Sequence, residues 1–239
     1  MREQIMGLIT PTMAIVFFAV FLVMWWRGKM GSYVLGFAAT YLLFAIGFGT
    51  THLFDTGSPY VFHITQFFYS MSTATAIWAL TRRAGQPPYL GVLLVIYALS
   101  AVTLGVAVVT TPEISSRLII VNVGYGAMYL VCLMSLLGGQ RREAIDKLII
   151  VAHSILAAQF MIRPVLTLLV EQGIAAEGYR QSVYYSVLNL SLALISLMSA
   201  MVLVGACVYD QIKAVREQAE LDGLTGLRTR RAFEQDVVE

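Results

Sequence analysis

Long apolar runs separated by short polar segments dominate the pattern along the chain. Seven runs have about 20 mostly apolar residues, which is the length that a helix needs to cross a bilayer. They are Ile5–Trp26, Ser32–Phe54, Tyr60–Thr81, Tyr89–Thr110, Arg117–Leu137, Asp146–Val170 and Gln181–Tyr209. Because a backbone in lipid must satisfy its own hydrogen bonds, these runs predict an all-α integral membrane protein, in which residues 1–209 form a bundle of seven transmembrane helices.

The composition excludes most soluble classes of protein. Of the 239 residues, 58% are apolar and 13% are charged, whereas soluble domains carry roughly 25% charged residues. The net charge of +2 is too small to indicate a nucleic-acid partner, and none is expected. Cys132 and Cys207 lie far apart in apolar runs, so no disulfide framework is expected. The partner that remains is the lipid bilayer.

The positive side chains between the runs predict how the bundle is oriented. If the N-terminus is outside, nine Lys and Arg residues fall on the inside and three on the outside, which is the bias that cytoplasmic loops show. The inside residues are Arg27, Lys29, Arg82, Arg83, Arg141, Arg142, Lys147, Lys213 and Arg216, and the outside residues are Arg2, Arg117 and Arg180. We therefore expect the N-terminus outside and the C-terminus in the cytoplasm.

Polar side chains within the predicted spans are candidates for a binding site, since a polar group inside a bilayer is costly. Counting 1.5 Å per residue along each helix places most of them in one layer of the outer half. That layer contains Arg163 and the ligand-cavity candidates Gln66, Asn122, Gln159 and Asn189. It predicts a cavity that opens toward the outer face.

Two histidines in this layer, His52 and His63, lie at similar depth on consecutive helices. They are candidate ligands of a transition metal, with Asp55 as a third ligand. They are also candidate axial ligands of a haem b, with Arg163 pairing with a propionate. Two other interpretations stay open: structural histidines that bond water or a loop carbonyl, and a pair that senses pH.

Arg163 itself has three candidate partners, which are Asp55, an anionic ligand headgroup and the outer interface. His153 is deeper in the sixth span, too far along the helix to share a metal with the other two histidines. For His153 we expect a hydrogen bond to a neighbouring helix.

The composition changes sharply after Tyr209. Residues 210–222 read DQIKAVREQAELD, which is charged, free of Gly and Pro, and rich in helix-forming residues. Positions at alternating spacings of four and three form a heptad seam, and they are Val208, Ile212, Val215, Ala219 and Asp222. The segment is either a short signalling coiled coil or the solvated end of the last helix.

The next segment carries the most specific motif of the chain. Residues 222–233 read DGLTGLRTRRAF. This resembles the entry motif of GGDEF diguanylate cyclase domains, D-x-L-T-G-L-x-N-R-R-x-F. The matching residues are Asp222, Leu224, Thr225, Gly226, Leu227, Arg230, Arg231 and Phe233, while Thr229 stands where the family usually has Asn.

The resemblance implies an architecture and an activity for a longer parent protein. In this family a sensory domain is joined by a coiled coil to a cyclase, and two cyclase domains together convert two GTP molecules into cyclic di-GMP with bound Mg²⁺. It implies a signalling helix over 210–221 and the start of a GGDEF domain over 222–239. Asp222, Leu224 and Thr225 would form the rigid turn between them.

The resemblance also implies a bacterial inner-membrane protein that works as a homodimer. The family's metal-binding and guanine-binding residues lie downstream of this motif, so we expect the 239-residue chain to be a fragment without cyclase activity of its own. The seven predicted helices look like the membrane sensors that precede many GGDEF domains. Two rival interpretations stay open, namely a redox or transport protein and a passive dimerising anchor.

Overall fold

The computed structural model describes residues 2–28, 30–53, 59–111, 114–139, 143–170 and 183–220. This part of the chain holds seven α-helices and no strand. They are α1 (Arg2–Gly28), α2 (Ser32–Leu53), α3 (Pro59–Arg83), α4 (Leu90–Thr110), α5 (Ile114–Leu137), α6 (Ala144–Val170) and α7 (Val183–Ala219). All except α3 are long and apolar enough to cross a membrane. The prediction of a helical membrane protein is confirmed at this level.

Helix α3 differs from the other six in composition rather than in length. It has 25 residues, yet it is too polar to count as a spanning helix by hydropathy. Five of its polar side chains are buried, and some of them bond neighbouring helices; the five are Gln66, Ser70, Ser72, Thr73 and Thr81. Ser72 donates to the carbonyl oxygen of Thr40 at 2.9 Å, and Gln66 donates to Ser100 at 2.8 Å. Because α3 packs against α2, α4 and α5, its polarity faces protein instead of lipid.

The helices form a closed ring in chain order. Each helix packs against the next, α7 returns to α1, and α3 also contacts α5. Large apolar side chains cover the outside of this ring, as at Trp26 and at Val109, which is 86% exposed. An apolar surface of this extent is stable in lipid and unstable in water.

The two ends of the ring differ, and we name them by the direction of α7. At the tail end, Tyr33 of α2 and Arg83 of α3 bond Asp210 of α7, and Arg83 also bonds Asp146 of α6. The far end is the opposite one, where α7 begins at Val183. Helices that follow one another in the chain therefore run in opposite directions, whereas the contacting pairs α1–α7 and α3–α5 run parallel.

Helix α7 continues beyond the predicted end of the last span. It runs without a break to Ala219, so residues 210–219 are helical. The seam residues Val208, Ile212 and Val215 are exposed on it. Asp222, Leu224 and Thr225 lie outside the described residues.

Candidate functional site

A cavity of about 200 Å³ lies inside the ring, between α2, α3, α5, α6 and α7. Four polar residues predicted from the sequence line it near the far end, each about two helical turns from that end. They are Gln66, Asn122, Arg163 and Asn189. We call this set the far-end layer.

A second set of polar side chains lines the cavity about 10–15 Å closer to the tail end, judged from the rise along each helix. We call it the tail-end layer. Its members are Thr73, Tyr129, His153 and Ser199. Sequence reasoning missed three of these four. A single Thr or Ser on a helix usually bonds its own backbone, and a tyrosine in an apolar run is usually a packing residue.

Aromatic side chains form the wall between the two layers. Five rings from four helices follow one another in the order Phe44, Tyr69, Tyr125, Phe160 and Tyr129. Successive ring centroids lie 5.5, 6.2, 5.5 and 5.8 Å apart. We call these five residues the ring chain. Aromatic pairs at such distances attract each other, so the ring chain stabilises the wall while it presents ring faces and edges to the cavity.

Two hydroxyl groups on the cavity wall have no hydrogen-bond partner in the described part of the chain. They are the Oγ1 atom of Thr65 and the Oγ atom of Ser199, and both atoms are buried. By contrast, Thr75 donates to the carbonyl oxygen of Met71 at 2.7 Å, one turn earlier. A buried polar group left unpaired costs about 1–3 kcal/mol. Since both residues line the cavity, Thr65 and Ser199 are candidates to bond a molecule inside it.

His153 is buried, and its ring contacts its own helix. Its Nδ1 atom lies 2.8 Å from the carbonyl oxygen of Ile149, one turn earlier on α6. The prediction of a bond to a neighbouring helix was wrong, because a carbonyl of the same helix lies within reach. A carbonyl only accepts, so a neutral His153 carries its hydrogen on Nδ1 and leaves Nε2 as an acceptor.

The two remaining long polar side chains of α6 point in different directions. Arg163 lines the cavity, as Tyr125 does. Gln159 is not among the lining residues that the structure describes. Its Nε2 atom donates to Ser191 of α7 at 3.3 Å, which places the side chain at the contact between α6 and α7.

The histidine site predicted from the sequence is only partly within the described residues. His63 lies beside Gly105 of α4, close enough that a methyl group at Gly105 would contact the ring, and it is not among the described lining residues. The side chain of His52 and all of Asp55 lie outside the described residues. Among those that are described, no three metal-ligating side chains form a group. The metal and haem sites stay predictions.

A cluster of charges joins four helices at the tail end. Arg83 donates from Nε and Nη2 to the two carboxylate oxygens of Asp210, at 2.9 and 2.8 Å, and from Nη1 to Asp146 at 2.6 Å. The hydroxyl of Tyr33 donates to Asp210 at 2.8 Å. We call these four residues the tail-end cluster. Arg83 and Asp210 pair through two N–H···O bonds, which is the strong geometry for a guanidinium and a carboxylate.

Local structure places Arg83 for this role. Gly85 adopts a left-handed conformation with φ of 65°, and the N–H of Gln86 returns to the carbonyl oxygen of Thr81, so α3 ends here. Arg83 therefore sits in the last turn, where the helix dipole favours a positive charge. Burial of Arg83 alone would lower its pKa, but its bonds to Asp210 and Asp146 raise the pKa above the ordinary value. The side chain is 8% exposed and remains charged.

A weaker ion pair lies outside the tail-end cluster. Lys213 of α7 bonds Glu143 at 2.7 Å, and this bond lowers the pKa of Glu143. Both side chains are exposed, so water and salt screen the pair. The exposed pair of Lys213 and Glu143 therefore serves as a control for the more buried tail-end cluster.

No family model, no curated protein and no solved structure matches the chain. The resemblance to GGDEF domains therefore rests on the motif of residues 222–233 alone.

Proposed function

We propose that this chain is the membrane sensory module of a diguanylate cyclase. The observation that carries the proposal is the course of α7. One unbroken helix presents Asn189 and Ser199 to the cavity, Asp210 to the tail-end cluster, and ends at Ala219, three residues before the cyclase entry motif. A change in the cavity can therefore be transmitted to the motif through one continuous helix.

The mechanism follows from this connection. A ligand that binds in the cavity contacts α7 and the helices facing it, so it favours one position of α7 over another. The tail-end cluster opposes any shift of α7, since Asp210 is held by two other helices. A ligand strong enough to shift α7 changes how two coiled-coil tails meet, and dimer geometry sets cyclase activity because GTP must be bound by both halves.

We further propose a placement in the membrane. All seven helices cross it, with α3 shielded from lipid by its neighbours and the N-terminus outside. The tail then lies in the cytoplasm of a bacterial cell, at the inner membrane, and the parent protein is a homodimer. The positive charges that end α1 and α3 support this orientation, namely Arg27, Arg82 and Arg83.

A haem b or a transition metal held by His52, His63 and Asp55 stays a prediction. The ultraviolet–visible spectrum of the purified protein, with metal analysis of the same sample, tests it. A Soret band that disappears in His63→Ala supports haem, and a colourless, metal-free protein contradicts both cofactors. Mg²⁺ and GTP belong to the cyclase domain of the parent.

The proposed function is tested in the full-length parent by measuring cyclic di-GMP. Ser199→Phe fills the cavity, whereas Met198→Phe places the same ring at an exposed position next to it. We expect Ser199→Phe to change cyclic di-GMP output several-fold and Met198→Phe to leave it unchanged.

Two outcomes contradict the proposal. If the parent lacks a GGDEF sequence and makes no cyclic di-GMP, the tail motif is accidental. If the parent is active but Ser199→Phe and Met198→Phe behave alike, the bundle is a passive anchor.

A further inference from the structure

We propose that the cavity binds a molecule of one aromatic ring that carries a hydrogen-bond-accepting oxygen. This deepens the proposed function, since it names the ligand of the sensory site. Size, wall chemistry and donor placement each restrict the ligand, and all three come from the described lining residues.

The volume of the cavity limits the ligand to about one ring. An apolar cavity of about 150 Å³ holds benzene. Pockets for drug-sized ligands begin at about 300 Å³. At about 200 Å³, this cavity has room for a ring and one small substituent.

The wall favours an aromatic ring over an aliphatic one. In the ring chain, the planes of Tyr69 and Tyr125 are 85° apart and those of Tyr125 and Phe160 are 65° apart. Rings at different angles thus line one space. A flat ring can pair edge-to-face with such walls, which a saturated ring cannot do.

The far-end layer carries three amides, whose carbonyl oxygens accept, and one cation, Arg163, which favours a ligand oxygen over a ligand cation. Arg163 carries five N–H donors and no acceptor, so it can serve a ligand oxygen as well as atoms of the protein. The unpartnered hydroxyl of Thr65 lies at about the same depth, on the facing wall. Gln66 already uses its amide nitrogen on Ser100, and Asn122 uses its own on Leu118. Arg163 and Thr65 therefore determine where the ligand oxygen lies, with its ring against the ring chain.

The experiment is a titration of the whole 239-residue chain in detergent micelles, by calorimetry, with empty micelles as the blank. The two test probes are benzoate and benzaldehyde. Benzylamine keeps the ring but replaces the acceptor by a cation, and cyclohexanecarboxylate keeps the acid but lacks the aromatic ring. We expect one bound benzoate or benzaldehyde per chain, and binding of both comparison compounds about tenfold weaker or worse.

Paired variants tie the binding to the proposed atoms. Thr65→Val removes the hydroxyl and keeps the shape, while Thr75→Val removes a hydroxyl that bonds its own helix outside the cavity. Arg163→Gln removes the guanidinium, while Arg82→Gln alters an exposed arginine that is not among the lining residues. We expect Thr65→Val and Arg163→Gln each to weaken binding about tenfold, and the two controls to leave it unchanged.

Each outcome decides the proposal. Binding of benzoate alone identifies an aromatic acid, and binding of benzaldehyde identifies a neutral ring carbonyl; either supports it. No binding of either probe, equal binding of benzylamine, or equal binding by Thr65→Val and Thr75→Val overturns it. Since this readout needs no cyclase, probe binding without any effect on cyclic di-GMP would leave the ligand assignment intact and remove the proposed function.

Discussion

Gly36 shows how one absent methyl group sets the distance between two helices. A Cβ atom at this position would lie 2.8 Å from Cβ of Ala79 and equally close to the ring of Trp78. Gly47 of the same helix would meet the ring of Tyr69 at 2.9 Å. Close contact between α2 and α3 therefore depends on these glycines, and it brings Tyr69 to the cavity wall.

We expect Gly36→Ala to lower the free energy of unfolding by about 1–3 kcal/mol, because the added methyl group overpacks the contact between α2 and α3. The measurement is the thermal unfolding midpoint in detergent. Gly205→Ala is the matched control, since a Cβ atom there meets nothing within 4 Å. Equal midpoints for the two variants would show that α2 can move away at no cost.

At the scale of elements, α7 is the one that connects the cavity to the tail. Asn189 and Ser199 of this helix line the cavity, and the carboxylate of Asp210 accepts hydrogen bonds from Arg83 and Tyr33. Beyond Asp210 most of the helix is exposed, and its ion pair between Lys213 and Glu143 is exposed as well. The tail-end cluster is therefore the last firm hold on α7 before the tail.

We expect Arg83→Lys to lower the free energy of unfolding by about 1–3 kcal/mol. A lysine cannot make two parallel hydrogen bonds to Asp210 and a third bond to Asp146 at the same time. Thermal unfolding in detergent is the measurement. Lys213→Gln is the control, and it should leave the midpoint unchanged because its pair is exposed. If Arg83→Lys matches the control, the cluster does not hold α7.

At the scale of the whole molecule, a closed ring of helices surrounds a cavity, and α7 extends beyond the ring. In the full-length parent, we expect one residue inserted after Val215 to change cyclic di-GMP output, because it rotates everything that follows by about 100°. A seven-residue insertion at the same place restores the heptad phase and should restore output. Membrane insertion should be the same in both. Identical output from both insertions would contradict transmission through the coil.

The sequence by itself determined where the helices lie along the chain. Runs such as Ser32–Phe54 and Tyr89–Thr110 lie within a few residues of the observed α2 and α4. A helix bonds its own backbone, so its length and its place in the chain depend on local apolar content. Depth is local too, which is why the sequence could place Gln66, Asn122, Arg163 and Asn189 at one level.

Only the tertiary structure decided which side of each helix faces which neighbour. His63 and Gln66 are three residues apart, yet His63 lies beside α4 while Gln66 lines the cavity. Gln159 reaches Ser191, and Arg83, Asp146 and Asp210 meet although 63 and 127 positions separate Arg83 from its two partners. The rotation of a helix about its axis is set by packing against other helices, and an isolated apolar run carries little information about it.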